Sequence, residues 1–176
     1  YLIYIYFTVN NIILNFFWIL YQITLKGVVI EKDTITSISI GGFDGMHLAH
    51  QQLFDKLDEN GGIIVIQTNY ANITPFRYRK KHTKYPIYFY PLENIKHLNG
   101  KQFIKLLKEE FSNSKKIVVG YDFHFGNQAA YNSENLIELF DGKVEVVDEY
   151  KVDNIAVHSR IIRVYLRDGD IKTANK

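Results

Sequence analysis

The stretch TITSISIGGFDGMHLAHQQLFDKL, residues 34–57, decides how the rest of the chain is read. Ile35, Ser37 and Ser39 alternate with Thr36, Ile38 and Ile40, the two-residue period of a strand. Gly41 and Gly42 follow, then Phe43-Asp44-Gly45, then His47 and His50 where a helix is expected to begin. That helix is expected from about His47 to Leu57, with Ala49, Leu53 and Leu57 as its core stripe. Strand, glycine turn and helix start is how an α/β protein holds a phosphate. The glycines let backbone N–H groups approach the anion, and the helix dipole favours negative charge there.

Working outward, Asn60-Gly61-Gly62 reads as the end of that helix. Ile63–Ile66 is a continuous apolar run, as in a strand buried on both faces. Residues 67–85 are polar and basic, with Arg77, Arg79, Lys80, Lys81 and Lys84, and read as a loop or an exposed helix. Pro86 and Pro91 frame an aromatic strand. Residues 100–111 predict an amphipathic helix with Phe103, Ile104, Leu107 and Phe111 on one face. Lys116–Val119 predicts another buried strand, ending at Gly120, and residues 121–131 a loop rich in glycine and aromatics. Ser133 reads as the cap of a helix to Phe140, Val144–Val147 as a strand, and Ser159 as the start of a last helix broken at Asp168-Gly169-Asp170. Alternating strands and helices predict an α/β fold: a Rossmann-like doubly wound parallel sheet with helices on both faces. Ligands in such sheets sit at the carboxyl ends of strands, which singles out segments 41–50, 120–126 and 158–163.

Residues 1–25 stand apart, with no Lys, Arg, Asp or Glu. They are long enough to span a bilayer, yet Asn10, Asn11, Asn15 and Gln22 interrupt the run and no basic residue precedes it. Residues 1–26 are read as an apolar extension of the domain formed by 27–176. An extension outside the domain, a membrane anchor and a packed extra element all stay open. The sole methionine is Met46, so a fragment or a start placed too far upstream is expected. Net charge is +2, which gives no reason to expect a nucleic-acid or membrane partner. The absence of cysteine removes disulfides, thiolate metal sites and a cysteine nucleophile.

Three constellations carry the chemistry. His47 and His50 share a helix face at i, i+3 and can donate hydrogen bonds to a phosphate. A metal pair, lacking an obvious third ligand, or two surface histidines are the alternatives. Asp44 reads as a turn residue, a cap or a group near magnesium, with the structural role favoured; Phe43 fits core and ligand stacking equally. In VVGYDFHFG, residues 118–126, Asp122 lies among Tyr121, Phe123 and Phe125, which suits a flat heteroaromatic ligand or a loop packed on the sheet. In HSRIIRVYLR, residues 158–167, Arg160, Arg163 and Arg167 are spaced to share one basic helix face, either gripping an anion or solvated.

Together these stretches resemble the bacterial FAD synthetase (FMN adenylyltransferase) domain of the bifunctional riboflavin kinase/FAD synthetase family. GGFDGMHLAH is similar to G-x-F-D-G-x-H-x-G-H, shared with the wider HxGH nucleotidyltransferases. VVGYDFHFG is similar to V-V-G-x-D-F-x-F-G, the more specific piece, and Ser159, Ile162 and Arg163 match S-S-T-x-I-R. PLENIKHLNGKQFIKLL resembles the segment before the family's middle strand. Ala49 replaces the glycine of HxGH, His158 and Arg160 replace Ser and Thr, and QTNYANITP lacks the phenylalanine-x-proline-histidine-proline pattern.

The resemblance implies a cytoplasmic enzyme of the nucleotidyltransferase fold that transfers AMP from ATP to FMN, giving FAD and pyrophosphate. It implies Mg²⁺ with ATP, and catalytic roles for His47, His50 and Arg163. Gly41, Gly42, Phe43, Asp44 and Ser159 would join them in binding nucleotide; Asp122, Phe123, Phe125 and Gly126 would meet flavin. It names no metal ligands. A riboflavin kinase domain, C-terminal in the family, is not expected within this chain. The alternatives are another HxGH adenylyl- or cytidylyltransferase, or a flavin- or nucleotide-binding module that has lost catalysis.

Overall fold

The computed structural model describes residues 31–68 and 73–176. The extension at 1–26 therefore lies outside the described residues. The strands are β1 (Ser37–Gly41), β2 (Gly61–Gln67), β3 (Ile87–Pro91), β4 (Lys116–Gly120), β5 (His124–Phe125), β6 (Tyr131–Asn132), β7 (Lys143–Val147), β8 (Lys151–Val152) and β9 (Ile155–Ala156). The helices are α1 (Leu48–Phe54), α2 (Leu92–Ile95), α3 (Gly100–Glu110), α4 (Ser133–Leu139), α5 (Ser159–Arg167) and α6 (Ile171–Ala174).

Five strands form one parallel sheet in the order β3-β2-β1-β4-β7. The chain builds outward from β1 in one direction, then returns to build in the other. The strand order therefore reverses between β1 and β4, and their carboxyl ends, Gly41 and Gly120, flank the crevice where doubly wound sheets bind ligands.

Side-chain alternation places a core on each face of the sheet. Ile38, Ile40, Ile64, Ile117 and Val119 pack with Phe103, Ile104 and Leu107 of α3 and Leu136 of α4. Ile63, Val65 and Val118 pack on the opposite face with Leu53 and Phe54 of α1. Helices thus cover both faces, as the pattern predicted. Helix α3 starts where Asn99 and Gln102 cap one another's backbone N–H groups, each at 2.9 Å. The cap of α4 is Asn132, paired likewise with Asn135, and not Ser133.

Several boundaries differ from the sequence pattern. Helix α1 stops at Phe54, and Gly61 and Gly62 belong to β2, paired with Ser37 and Ile38. A Cβ on Gly61 would lie 2.8 Å from the Leu57 Cβ, so this glycine is set by close approach and not by a helix end. The basic segment 67–85 contains a 3-10 helix, Phe76–His82, that buries Arg79. The β5–β6 hairpin breaks up a segment read as loop, and a second hairpin, β8–β9, lies between β7 and α5. Among the described residues, no helix is long and apolar enough to cross a membrane.

Candidate functional site

The turn after β1 is built around a phenylalanine. Phe43 has φ 46°, a left-handed conformation that costs on the order of 1–3 kcal/mol outside glycine. The turn drives its ring beneath Gly41, where a Cβ would come within 3.0 Å of it. The ring is 3% exposed and meets Phe54 and His50 edge-on, each at 5.1 Å. Phe43 is thus a core residue shaping the turn. Its burial, worth about 2 kcal/mol, offsets the backbone strain.

The same turn points Asp44 inward. Its carboxylate accepts the backbone N–H groups of Ile73 (3.2 Å) and Thr74 (3.0 Å) and is bonded by Arg163 Nη2. Arg79 Nη2 lies 3.8 Å away, and Arg79 Nε donates to the Phe43 carbonyl at 3.1 Å. Burial lowers the Arg79 pKa while Asp44 pushes it back up. The Asp44 carbonyl accepts the Ser159 hydroxyl at 2.6 Å. Asp44 therefore joins the turn, the 73–82 segment and α5.

His47 occupies the cap position of α1 and His50 lies one turn in. Their rings stack with centroids 3.6 Å apart and planes 20° from parallel. Burial is the main force lowering both pKa values, to about 4 for His47 and about 2 for His50. Mutual repulsion with neighbouring cationic forms adds to this, from His158 on His47 and from His47 and Arg79 on His50. Both imidazoles are neutral near pH 7. The Nδ1 atoms of both are buried without a hydrogen-bond partner. An orphaned buried polar atom costs about 1–3 kcal/mol and calls for a ligand or other explanation.

Ser159 settles one proton. Its hydroxyl hydrogen goes to the Asp44 carbonyl, so at 3.2 Å the His47 Nε2 donates to Ser159 Oγ. His47 thus acts as donor here and not as a base for Ser159, which excludes a serine–histidine nucleophilic pair in this arrangement.

A cleft of about 580 Å³ opens between the ends of β1 and β4. Of the residues singled out in the sequence, Gly41, Gly42, Phe43, Asp44, His47, His50, Asp122, Phe123, Ser159 and Arg163 all line it. Phe125 and Gly126 do not. They line a smaller apolar cavity of about 270 Å³, which also borders Phe123. Phe125 is 6% exposed and stacks on Phe123 at 5.6 Å. Ala49 lines neither cavity.

Two expectations for α5 change. Its cap position is His158, and Ser159 makes no cap. Arg160, Arg163 and Arg167 do not act as one face: Arg163 turns to Asp44, while Arg167 pairs with the neighbouring Asp168 at 3.0 Å. Sequence reasoning missed Arg79, indistinguishable among its basic neighbours. It also missed the trio in which Tyr121 donates to Glu149 at 2.9 Å and lies 3.1 Å from His158 Nε2. Among the described residues no cluster of three His, Asp or Glu side chains is placed to hold a metal.

Fold and cleft define a Rossmann-like α/β domain with a crevice at the strand-order reversal. No family model matches the chain. Three curated relatives carry the name bifunctional riboflavin kinase/FMN adenylyltransferase. The one from Buchnera aphidicola is 28% identical over 82% of this chain and 54% of its own. That from Bacillus subtilis is 25% identical over 82% and 54%, and that from Listeria monocytogenes 24% over 79% and 52%. The chain thus spans about half the length of the curated relatives it matches, and the likeness supports the FAD synthetase family. A crystal structure described as a macrolide-efflux protein from Streptococcus pneumoniae matches with TM-score 0.67 at 22% identity, covering 80% of this chain and 63% of that one. At that identity the likeness concerns the fold alone.

Proposed function

We propose that this domain is an FMN adenylyltransferase: it transfers AMP from ATP to FMN, giving FAD and pyrophosphate. The observation that carries the reading is the convergence of His47, His50, Ser159 and Arg163 on one cleft, with two orphaned imidazole nitrogens among them. The names of the curated relatives supply the flavin and the nucleotide.

An FMN phosphate oxygen attacks the α-phosphorus of ATP. The new P–O bond forms as the bond to the β-phosphate oxygen breaks, and pyrophosphate leaves with its electron pair. No enzyme nucleophile is required, in keeping with a Ser159 whose proton is committed and a chain without cysteine. The protein's part is to position two anions and to stabilise charge on the leaving group. His47 and His50 hold the triphosphate, and Arg163 takes the β- and γ-phosphates by its bidentate geometry. Mg²⁺ brought with ATP would neutralise phosphate charge, while His47, His50 and Arg163 do the holding. Asp122 and Phe123, which line the cleft, would meet the flavin, with Phe125 and Gly126 lining the adjoining apolar cavity.

The test is incubation of the chain with ATP, FMN and Mg²⁺ and chromatographic detection of FAD. FMN binding without FAD would favour the reading as a flavin-binding module that has lost catalysis.

A further inference from the structure

Asp44 faces two guanidinium groups that differ sharply in setting. Arg79 is 2% exposed; its Nε is fixed to the Phe43 carbonyl and its Nη2 lies 3.8 Å from Asp44 Oδ1 without a hydrogen-bond partner. The Arg163 side chain is 39% exposed, lines the cleft and bonds Asp44 Oδ2. One carboxylate thus carries two cations, one locked in the interior and one at the mouth of the site. Asp44 is itself 6% exposed and also accepts two backbone N–H groups.

These positions decide which cation can leave. A buried carboxylate stripped of its only cation is strongly disfavoured. With Arg79 in place, moving Arg163 leaves Asp44 paired and the interior neutral. Without Arg79, the same movement leaves a buried unpaired charge. Arg163 reaches both Asp44 and the cleft, and a polyphosphate arriving there offers it a second bidentate acceptor.

We propose that Arg79 is a positioning residue for the phosphate site: it serves as the permanent counter-ion of Asp44, so that Arg163 exchanges Asp44 for the polyphosphate of the substrate. This rests on reading the cleft as a triphosphate site, and it adds a device to that reading. The pairing of Arg163 with Asp44 holds the arginine at the edge of the cleft, ready for transfer. Arg79 sets how readily it is handed over, without touching substrate.

The full chain is titrated calorimetrically with inorganic pyrophosphate, as wild type and as R79M, D44N, R79M/D44N and R79K. R79M is expected to weaken binding about tenfold or more, because Asp44 then retains Arg163. In the D44N background the same R79M change is expected to have little effect, since no carboxylate competes for Arg163. R79K, which keeps the charge, is expected to recover most of the affinity. An equal loss from R79M in both backgrounds, or none in either, overturns the exchange. Should R79M not fold, a crystal structure of the wild type with pyrophosphate decides. Arg163 on the ligand with Arg79 closed onto Asp44 supports the proposal, and Arg163 still on Asp44 overturns it.

The FAD assay on the same samples separates this inference from the functional reading. Non-additive pyrophosphate binding without FAD formation upholds the exchange and removes the adenylyltransferase. FAD formation with additive variants does the reverse. A wild type that binds no pyrophosphate overturns the exchange, and its FAD yield judges the enzyme separately.

Discussion

His47 Nε2 and Ser159 Oγ lie 3.2 Å apart across a sequence separation of 112 residues, and the histidine is the donor of the pair. Ser159 has already given its proton to the Asp44 carbonyl at 2.6 Å. One hydroxyl thereby ties the first motif to the last and selects the His47 tautomer. Ser159→Ala removes both bonds. It is expected to lower stability by about 1 kcal/mol, seen in denaturant unfolding, and to raise the KM for ATP about fivefold with a smaller change in kcat. A wild-type KM would show that the bond does not orient His47 for the nucleotide.

The buried histidines give the protein an acid-sensitive stability. In the unfolded chain both titrate near 6.5; folded, His47 is held at about 4 and His50 at about 2. Folded-state values below the unfolded value mean that the unfolded chain binds more protons in the acid range. This contribution is whole above pH 6.5 and is lost as pH falls, through about 4 for His47 and further for His50. Thermal midpoints are expected to fall from pH 6.5 to 4, with a shallower slope in His47→Gln. An anion at the orphaned Nδ1 of His47 also calls for a proton there. Pyrophosphate binding near pH 6.5 is therefore expected to take up protons, measured as a heat that varies with buffer ionisation enthalpy.

Two glycines separate packing from ligand access. A methyl at Gly61 would meet Leu57 at 2.8 Å and Tyr85 at 2.9 Å, so Gly61→Ala is expected to cost about 1–3 kcal/mol. A methyl at Gly42 meets nothing within 4 Å, and Gly42 lines the cleft. Gly42→Ala is expected to leave the thermal midpoint within about 1 °C while raising the KM for ATP. Equal KM values for wild type and Gly42→Ala would place the nucleotide elsewhere.

Ala49 stands at the glycine of the HxGH pattern, but its side chain lines neither cavity. Ala49→Gly is accordingly expected to change kcat/KM less than about twofold and to cost about 0.5–1 kcal/mol of helix stability. A large gain in activity would mean that the methyl does obstruct the site.

The sheet was legible because its inner strands, β1, β2 and β4, are buried on both faces. Ile63, Ile64 and Val65 form an unbroken apolar run, and α3 carries its apolar stripe at Phe103, Ile104 and Leu107. His47, His50 and Arg163 could be singled out because their motif spacing is local, and the structure brings them to one cleft. What the sequence concealed depends on long-range packing. Nothing local marks Arg79 as buried among exposed lysines, since its burial comes from Phe43 and Asp44, over thirty residues earlier. Gly61 and Gly62 look like a helix terminator locally; only pairing with β1 makes them strand. Arg163 has the spacing of a surface basic face, yet Asp44 draws it into the cleft.

The central claim is that this cleft joins AMP to FMN using its two stacked histidines. The most direct measurement is the rate of FAD formation from ATP, FMN and Mg²⁺ by the wild type and by the His47→Ala/His50→Ala double variant. The account predicts FAD and pyrophosphate in equal amounts from the wild type, and a loss of at least about a hundredfold in the folded double variant. No FAD from the wild type, or FAD formed at an unchanged rate by the double variant, would contradict it.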